Sequence, residues 1–158
     1  MTLLDDFTPA GEVKIDPKNR LPLGGQIKKE GVGSAESKML TIGFDGCLYL
    51  MPEPDWDALQ SKLSEHGKTD MRAIRFQRTI LYYASKVKPD SQWRIVVPER
   101  LMSLAGFTNE NRDACLLWMN DRLEIWEKCR FGAYMRDEQY ALDPAVVALR
   151  KAAEELTL

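Results

Sequence analysis

Residues 13–23 read VKIDPKNRLPL, and residues 87–98 read VKPDSQWRIVVP. Both carry one frame: a lysine (Lys14, Lys88), an aspartate two places on (Asp16, Asp90) and an arginine four places after that (Arg20, Arg94), at a constant offset of 74. Residues 45–50 (DGCLYL) answer residues 121–126 (DRLEIW) at an offset of 76, and Trp56 answers Phe131 at 75. Offsets that drift so little mark two tandem copies of one unit with a small insertion. A repeat of this kind sets the architecture before any local feature does.

Working outward from the first motif, residues 13–16 alternate apolar and charged side chains, as a half-buried strand does. Pro17, Lys18 and Asn19 supply turn chemistry. Residues 20–23 read as a return strand with Leu21 and Leu23 on one face. Gly24 and Gly25 break it, and residues 31–37 form a polar loop. Residues 39–51 read as a hairpin turning at Asp45 and Gly46, since Asp-Gly between apolar runs is a strong hairpin signal. Pro52 and Pro54 end the hairpin, Asp55 reads as a helix N-cap, and Trp56, Leu59 and Leu63 follow at helical spacing. Residues 69–84 form a second helix that links the copies, offering Ile74, Ile80, Leu81 and Ala84 to the core.

The second copy repeats the order. Residues 86–88 and 94–97 are strands around a turn at 89–93. Pro98 opens a short helix at its first position, as proline favours, and Gly106 ends it. Residues 114–119 and 123–126 are strands around Asn120 and Asp121, and residues 127–135 are helical. Residues 144–156 form a last amphipathic helix with Val147, Leu149, Ala152, Ala153 and Leu156 on its apolar side, without a counterpart in the first copy. Each unit is strand, turn, strand, short helix, hairpin, helix. One unit alone has too little core to be stable, so two units sharing a sheet in a pseudo-two-fold α+β domain is the economical arrangement. The expected division is 1–68 for the first unit, 69–84 for the linking helix, 85–136 for the second unit and 137–158 for a C-terminal extension.

Composition bounds the function. The chain has 158 residues, 44% of them hydrophobic, and a formal net charge of −2. That fits one folded domain, and any binding of nucleic acid must come from a local patch. No apolar run approaches the roughly 20 residues needed to span a bilayer. The opening residues have no basic stretch followed by an apolar one, so no signal peptide is expected. Three cysteines (Cys47, Cys115, Cys129) without paired spacing suit a reduced, cytoplasmic compartment, with Cys115 and Cys129 reading as small core hydrophobes. His66, the one histidine, sits in a polar stretch that reads as loop. No Cys/His pair has metal spacing and no glycine loop cradles phosphate. Asp55 and Asp57 are explained by helix capping. Neither an enzyme, a metal nor a cofactor is expected.

These residues resemble the MraZ family, two-copy members of the AbrB-like, swapped-hairpin transcription factors. The family's mark is an Asp-x-x-x-Arg motif in each copy, usually D-x-[KQ]-G-R followed by an apolar strand and Pro. Here the copies are residues 16–20 (DPKNR) and 90–94 (DSQWR), the second followed by IVVP at 95–98. Residues 75–78 (RFQR) and 122–126 (RLEIW) match further family signatures, so the resemblance runs from about Val13 to Tyr134. Asn19 and Trp93 stand where the turn glycines are usual, and Gly24 where a proline is.

The resemblance implies a sequence-specific DNA-binding regulator, nucleoid-associated, forming ring-shaped homo-oligomers on short direct repeats upstream of a cell-division and cell-wall gene cluster. It implies that the two turns present Lys18, Arg20, Gln92 and Arg94 to double-stranded DNA, with Lys14, Lys86 and Lys88 beside them for phosphates and Asp16 and Asp90 supporting the motifs. The residue chemistry agrees: arginine offers a planar fork to guanine, lysine a point charge to phosphate, glutamine a pair of hydrogen bonds to adenine. A second reading has the Asp–Arg pairs stitch the hairpins. The two are compatible, since an aspartate can orient an arginine that reaches DNA. Lys68, Arg72, Arg75 and Arg78 recur at helical spacing, as a phosphate-tracking stripe or a solvated face. Trp56, Trp118, Trp126 and Phe131 read as core. The alternative function is a structural or partner-binding homologue that kept the fold and lost DNA, to which Trp93 and the terminal helix point. A single-copy antitoxin-like regulator fits the duplication less well.

Overall fold

The computed structural model describes residues 10–24 and 36–136. The helix expected at 144–156 and most of the loop expected at 31–37 lie outside those residues. The elements are β1 (Ala10–Lys14), β2 (Arg20–Pro22), β3 (Lys38–Ile42), β4 (Leu48–Pro52), α1 (Glu53–Gly67), α2 (Met71–Tyr82), β5 (Ser85–Val87), β6 (Arg94–Val96), α3 (Glu99–Ala105), β7 (Asp113–Trp118), β8 (Leu123–Glu127) and α4 (Lys128–Met135).

The repeat becomes visible in the strand order. Six strands form one antiparallel sheet, β1-β7-β8-β4-β3-β5, and β2 and β6 form a separate ribbon. Exchanging each strand for its counterpart in the other copy reverses the six-stranded order onto itself. The pseudo-two-fold axis passes through the central β4–β8 pair, where Leu48 faces Ile125, Tyr49 faces Glu124 and Leu50 faces Leu123. This register makes Leu48 equivalent to Leu123, an offset of 75 where the sequence match gave 76. The turn of the β3–β4 hairpin (43–47) is one residue longer than that of β7–β8 (119–122). Positive φ at these turns falls on Asp45 (62°) and Gly46 (89°) in the first and on Asn120 (74°) in the second.

The return strand does not pair with the strand before it. β1 lies in the large sheet against β7, and β2 crosses to pair with β6, as Arg20–Val96, Leu21–Ile95 and Pro22–Arg94. Two equivalent bonds lengthen the ribbon: Leu23 N–H to Trp93 O and Val97 N–H to Asn19 O, both 2.8 Å. Each copy thus lends strands to the other, which is the swapped hairpin. Leu21 and Ile95 are fully buried beneath the ribbon. A strand of three residues has too few ladder bonds to close a hairpin alone, whereas pairing across the axis buries both apolar residues at once.

Two apolar layers flank the sheet. Under the ribbon and α3 lie Ile15, Leu21, Ile95, Leu101 and Ala105, packed with Leu40, Leu48, Leu50, Leu116, Leu123 and Ile125. On the opposite face α1, α2 and α4 cover Tyr49, Met51 and Trp126 with Trp56 and Ile80. β4 and β8 are buried at every position because both their faces are covered. Trp118 and Phe131 are partly buried against these layers.

Local chemistry sets the helix ends, with several differences from expectation. Pro52 occupies the N-cap of α1 with no side-chain cap, and Asp55 sits inside the first turn with Glu53, favourable to the helix dipole. His66 belongs to α1 rather than a loop, because its polar stretch continues the solvent face of the helix. Asp70 caps α2 by accepting from Arg72 N–H at 2.9 Å. Ile80 is buried but Leu81, about 100° further round, is 48% exposed. Pro98 is the N-cap of α3, not its first residue, and Gly106 ends it at φ 88°. Cys47 and Cys115 are buried, and burial pushes the Cys47 thiol up to about 12; Cys129 is exposed, contrary to the core reading. One pair of ion pairs shows the symmetry with its signs reversed. Lys86 meets Glu53 at 3.2 Å, and at the equivalent positions Glu12 meets Lys128 at 3.6 Å.

Candidate nucleic-acid interface

The two Asp-x-x-x-Arg loops are the same structure built twice. In the first, Asp16 N–H donates to Arg20 O (3.1 Å) and Asn19 N–H to Asp16 O (2.9 Å); in the second, Asp90 N–H donates to Arg94 O (2.9 Å) and Trp93 N–H to Asp90 O (3.0 Å). The aspartate then caps its own turn. Asp16 Oδ1 accepts from Lys18 N–H and Arg20 N–H, both at 2.9 Å, and Asp90 Oδ1 from Gln92 N–H (2.8 Å) and Arg94 N–H (3.0 Å). The other carboxylate oxygen holds the arginine: Arg20 Nε on Asp16 Oδ2, and Arg94 Nε on Asp90 Oδ2 at 2.9 Å. Only an acceptor with two oxygens at this position does both. The backbone N–H of Arg20, and in the second loop that of Arg94, holds Asp16 and Asp90 below the ordinary carboxylate value of 3.8.

The fourth residue of each loop lies in the left-handed region, Asn19 at φ 61° and Trp93 at φ 60°. The turn therefore keeps the geometry that glycine takes freely, and a side chain rides on it. Asparagine adopts it at small cost; for a bulky tryptophan it is uncommon.

Alternation on the ribbon decides what faces outward. Leu21 and Ile95 point into the core, so Arg20, Pro22, Arg94 and Val96 line the outer face, with Arg20 across from Val96 and Arg94 across from Pro22. Each guanidinium is held at Nε, and among the described residues no hydrogen bond engages its terminal nitrogens. A two-stranded ribbon fits the roughly 12 Å major groove of B-DNA, and such a fork can meet guanine O6 and N7 or a phosphate. Lys18 and Gln92 are exposed at the loop tips, and Lys14 and Lys88 are exposed where β1 ends and beyond β5. Lys86 is exposed but already paired with Glu53. Arg72, Arg75 and Arg78 lie on α2, across the sheet from the ribbon, and Arg72 is tied to Asp70 at 2.9 Å; this favours the solvated-face reading of the stripe.

Sequence reasoning missed the residues that brace the first loop. Arg112, just before β7, donates from Nη1 to Asp16 O (3.0 Å) and Asn19 Oδ1 (3.2 Å) and from Nη2 to Asn109 Oδ1 (3.2 Å). Asn19 Nδ2 in turn donates to Glu99 Oε2 at 2.7 Å. Apart from Asn109, three residues from Arg112, these partners stand 80 to 96 residues apart in the chain, and no local pattern announces them.

The relatives point the same way. The family model described as "MraZ protein, putative antitoxin-like" matches residues 7–79 and again 80–145. The chain is 34% identical over 120 residues to the transcriptional regulator MraZ of Pelotomaculum thermopropionicum, covering 76% of this chain and 79% of that one. It is 32% identical over 120 residues to that of Clostridium tetani (76% and 80%), and 23% identical over 146 residues to that of Thioalkalivibrio sulfidiphilus (89% and 95%). With two matches that follow the two structural copies and relatives aligned over most of their length, the chain belongs to the MraZ family.

Proposed function

We propose that this protein is a sequence-specific DNA-binding transcriptional regulator that sets the β2–β6 ribbon into the major groove. Arg20 and Arg94 meet base edges, Lys18 and Gln92 contact bases or phosphates from the loop tips, and Lys14 and Lys88 follow the backbone. Lys86 plays the smaller part, since Glu53 holds it. The observation that carries this reading is the doubled loop: two guanidiniums, each oriented by an aspartate, on the outer face of one ribbon. The names of the relatives, all transcriptional regulators, support it.

The targets we propose are short direct repeats in the promoter of a cell-division and cell-wall gene cluster, bound by a ring of identical subunits in the nucleoid. A chain of net charge −2 binds DNA weakly by itself; a ring offering several ribbons to successive repeats gains by effective concentration. Exposed Phe44, Met71, Leu81 and Tyr82 supply apolar surface for subunit contacts. The units 1–68 and 85–136, joined by 69–84, act as one body because each completes the other's sheet, with 137–158 as an extension. Selection of duplexes from a random pool by the purified protein tests the reading. Spaced direct repeats are expected; a pool that stays random contradicts it.

A partner-binding homologue without DNA affinity is the second reading, favoured by the half-buried Trp93 in the second loop and by that apolar surface. Light scattering with and without the selected duplex separates the two: a discrete oligomer that ignores DNA favours the second.

A further inference from the structure

We propose that Arg112 and Lys14 form a phosphate-binding subsite beside the first loop, so that the first half of the molecule holds DNA more strongly than the second. This rests on the DNA-binding reading above and adds a residue, Arg112, from outside both motifs.

Three observations carry it. The first is a cleft of about 660 Å³ between the first loop and the turn before β7, lined by Lys14, Ile15, Asp16, Pro17, Asn109 and Arg112. The second is the state of the Arg112 charge. Its hydrogen bonds go to a peptide carbonyl and two side-chain amide oxygens, all neutral. The Asp16 carboxylate, which also lines the cleft, is engaged by Arg20 and by two backbone N–H groups. Among the described residues no carboxylate pairs with Arg112, so a fixed guanidinium with unspent charge faces an open cleft, the arrangement that suits an anion.

The third is the comparison the pseudo-two-fold allows. The counterparts of Lys14, Lys18 and Arg112 are Lys88, Gln92 and Glu36. At these three described positions one half presents three cations where the other presents a cation, an amide and an exposed carboxylate. Asp113, across from Lys14 in the β1–β7 register, and Glu110 in the same turn offset part of the first half's charge. Glu99, which accepts from Asn19 Nδ2 at 2.7 Å, is a third carboxylate beside this loop, so the halves differ in which charges face the cleft rather than in their net charge. A duplex laid along the ribbon meets Lys14 and Arg112 across the cleft at the first loop, and Lys88 with Glu36 at the equivalent described positions of the second.

Fluorescence anisotropy over a salt series reads this directly, using a labelled duplex that carries the selected repeats and, beside it, random-sequence duplex. Arg112→Gln should lower affinity on both DNAs by about fivefold at 0.15 M salt and reduce the slope of log affinity against log salt by about one. Arg112→Lys keeps the charge and should keep the slope. Lys14→Gln, a change on an exposed side chain, should also reduce the slope by about one, and it serves if Arg112→Gln fails to fold. A variant that loses affinity with its slope intact would mean that Arg112 only braces the loop, which overturns the subsite. So would wild-type slopes in both glutamine variants while Arg20→Ala binds poorly. Absence of binding by the wild-type protein to either DNA would instead bring down the DNA-binding reading itself.

Discussion

At the scale of single residues, the aspartates of the doubled motif do the shaping. Each accepts two backbone N–H bonds and one arginine Nε, which favours the ionised carboxylate and depresses its pKa. A carboxylate whose folded pKa lies below its unfolded value contributes stability that is present above the unfolded value and lost as pH falls through the folded one. Urea midpoints measured at about pH 5 and about pH 3 should therefore fall further for the wild-type protein than for an Asp16→Asn, Asp90→Asn double variant; equal falls would refute the role. The positive φ of Trp93 makes a second prediction, independent of the ring's own contacts. At this position Trp93→Gly should be more stable than Trp93→Ala by about 1 kcal/mol, and urea unfolding showing alanine the more stable would contradict it. The motif, its aspartates and the permissive Asn19 were legible in the sequence because their bonds join residues four or fewer apart. Arg112 and Glu99 were not, because what they touch is brought near only by the fold.

At the scale of elements, the ribbon carries both core and interface on alternate residues. Ile95 is fully buried at the axis and Val96, its neighbour, is 57% exposed. Ile95→Ala should cost about 2–5 kcal/mol of stability, and Val96→Ala less than about 0.5 kcal/mol; comparable losses in denaturant titrations would mean the alternation is misassigned. The hairpins, both long helices and the short α3 could be read from turn residues and apolar spacing. The pairing of β2 could not, since Arg20–Pro22 looks the same whether it returns to β1 or crosses to β6. The same limit explains the offset of 76: identical Asp45 and Asp121 attract one another in the sequence, while the β4–β8 register pairs Leu48 with Ile125 and assigns the extra residue to the first turn. A further check lies in the turn after α3. A Cβ on Gly106 would meet Arg130 Nη2 at 2.8 Å at φ 88°, and Arg130 Nη1 holds Leu104 O and Gly46 O at 2.8 and 3.0 Å. Gly106→Ala should lower the melting temperature by several degrees, consistent with at least about 1 kcal/mol; an unchanged melt would show that Arg130 yields freely.

At the scale of the whole molecule, the exchange of strands makes the two copies one cooperative body. β1 needs β7, β5 needs β3, and the ribbon needs one strand from each. Tandem repetition in the sequence announced two units, and the family resemblance supplied the swap. The contrast in charge at matched positions emerged only once the axis had made Arg112 equivalent to Glu36. The central claim is that this body reads DNA through its doubled arginine, with the first copy leading. The most direct test is a side-by-side anisotropy titration of wild type, Arg20→Ala and Arg94→Ala on the selected duplex, with urea midpoints recorded for each. The account predicts near-wild-type folding, since partly exposed ion pairs contribute no more than about 1 kcal/mol, reduced affinity in both variants, and the greater loss in Arg20→Ala. Binding by both variants as tight as wild type would contradict it.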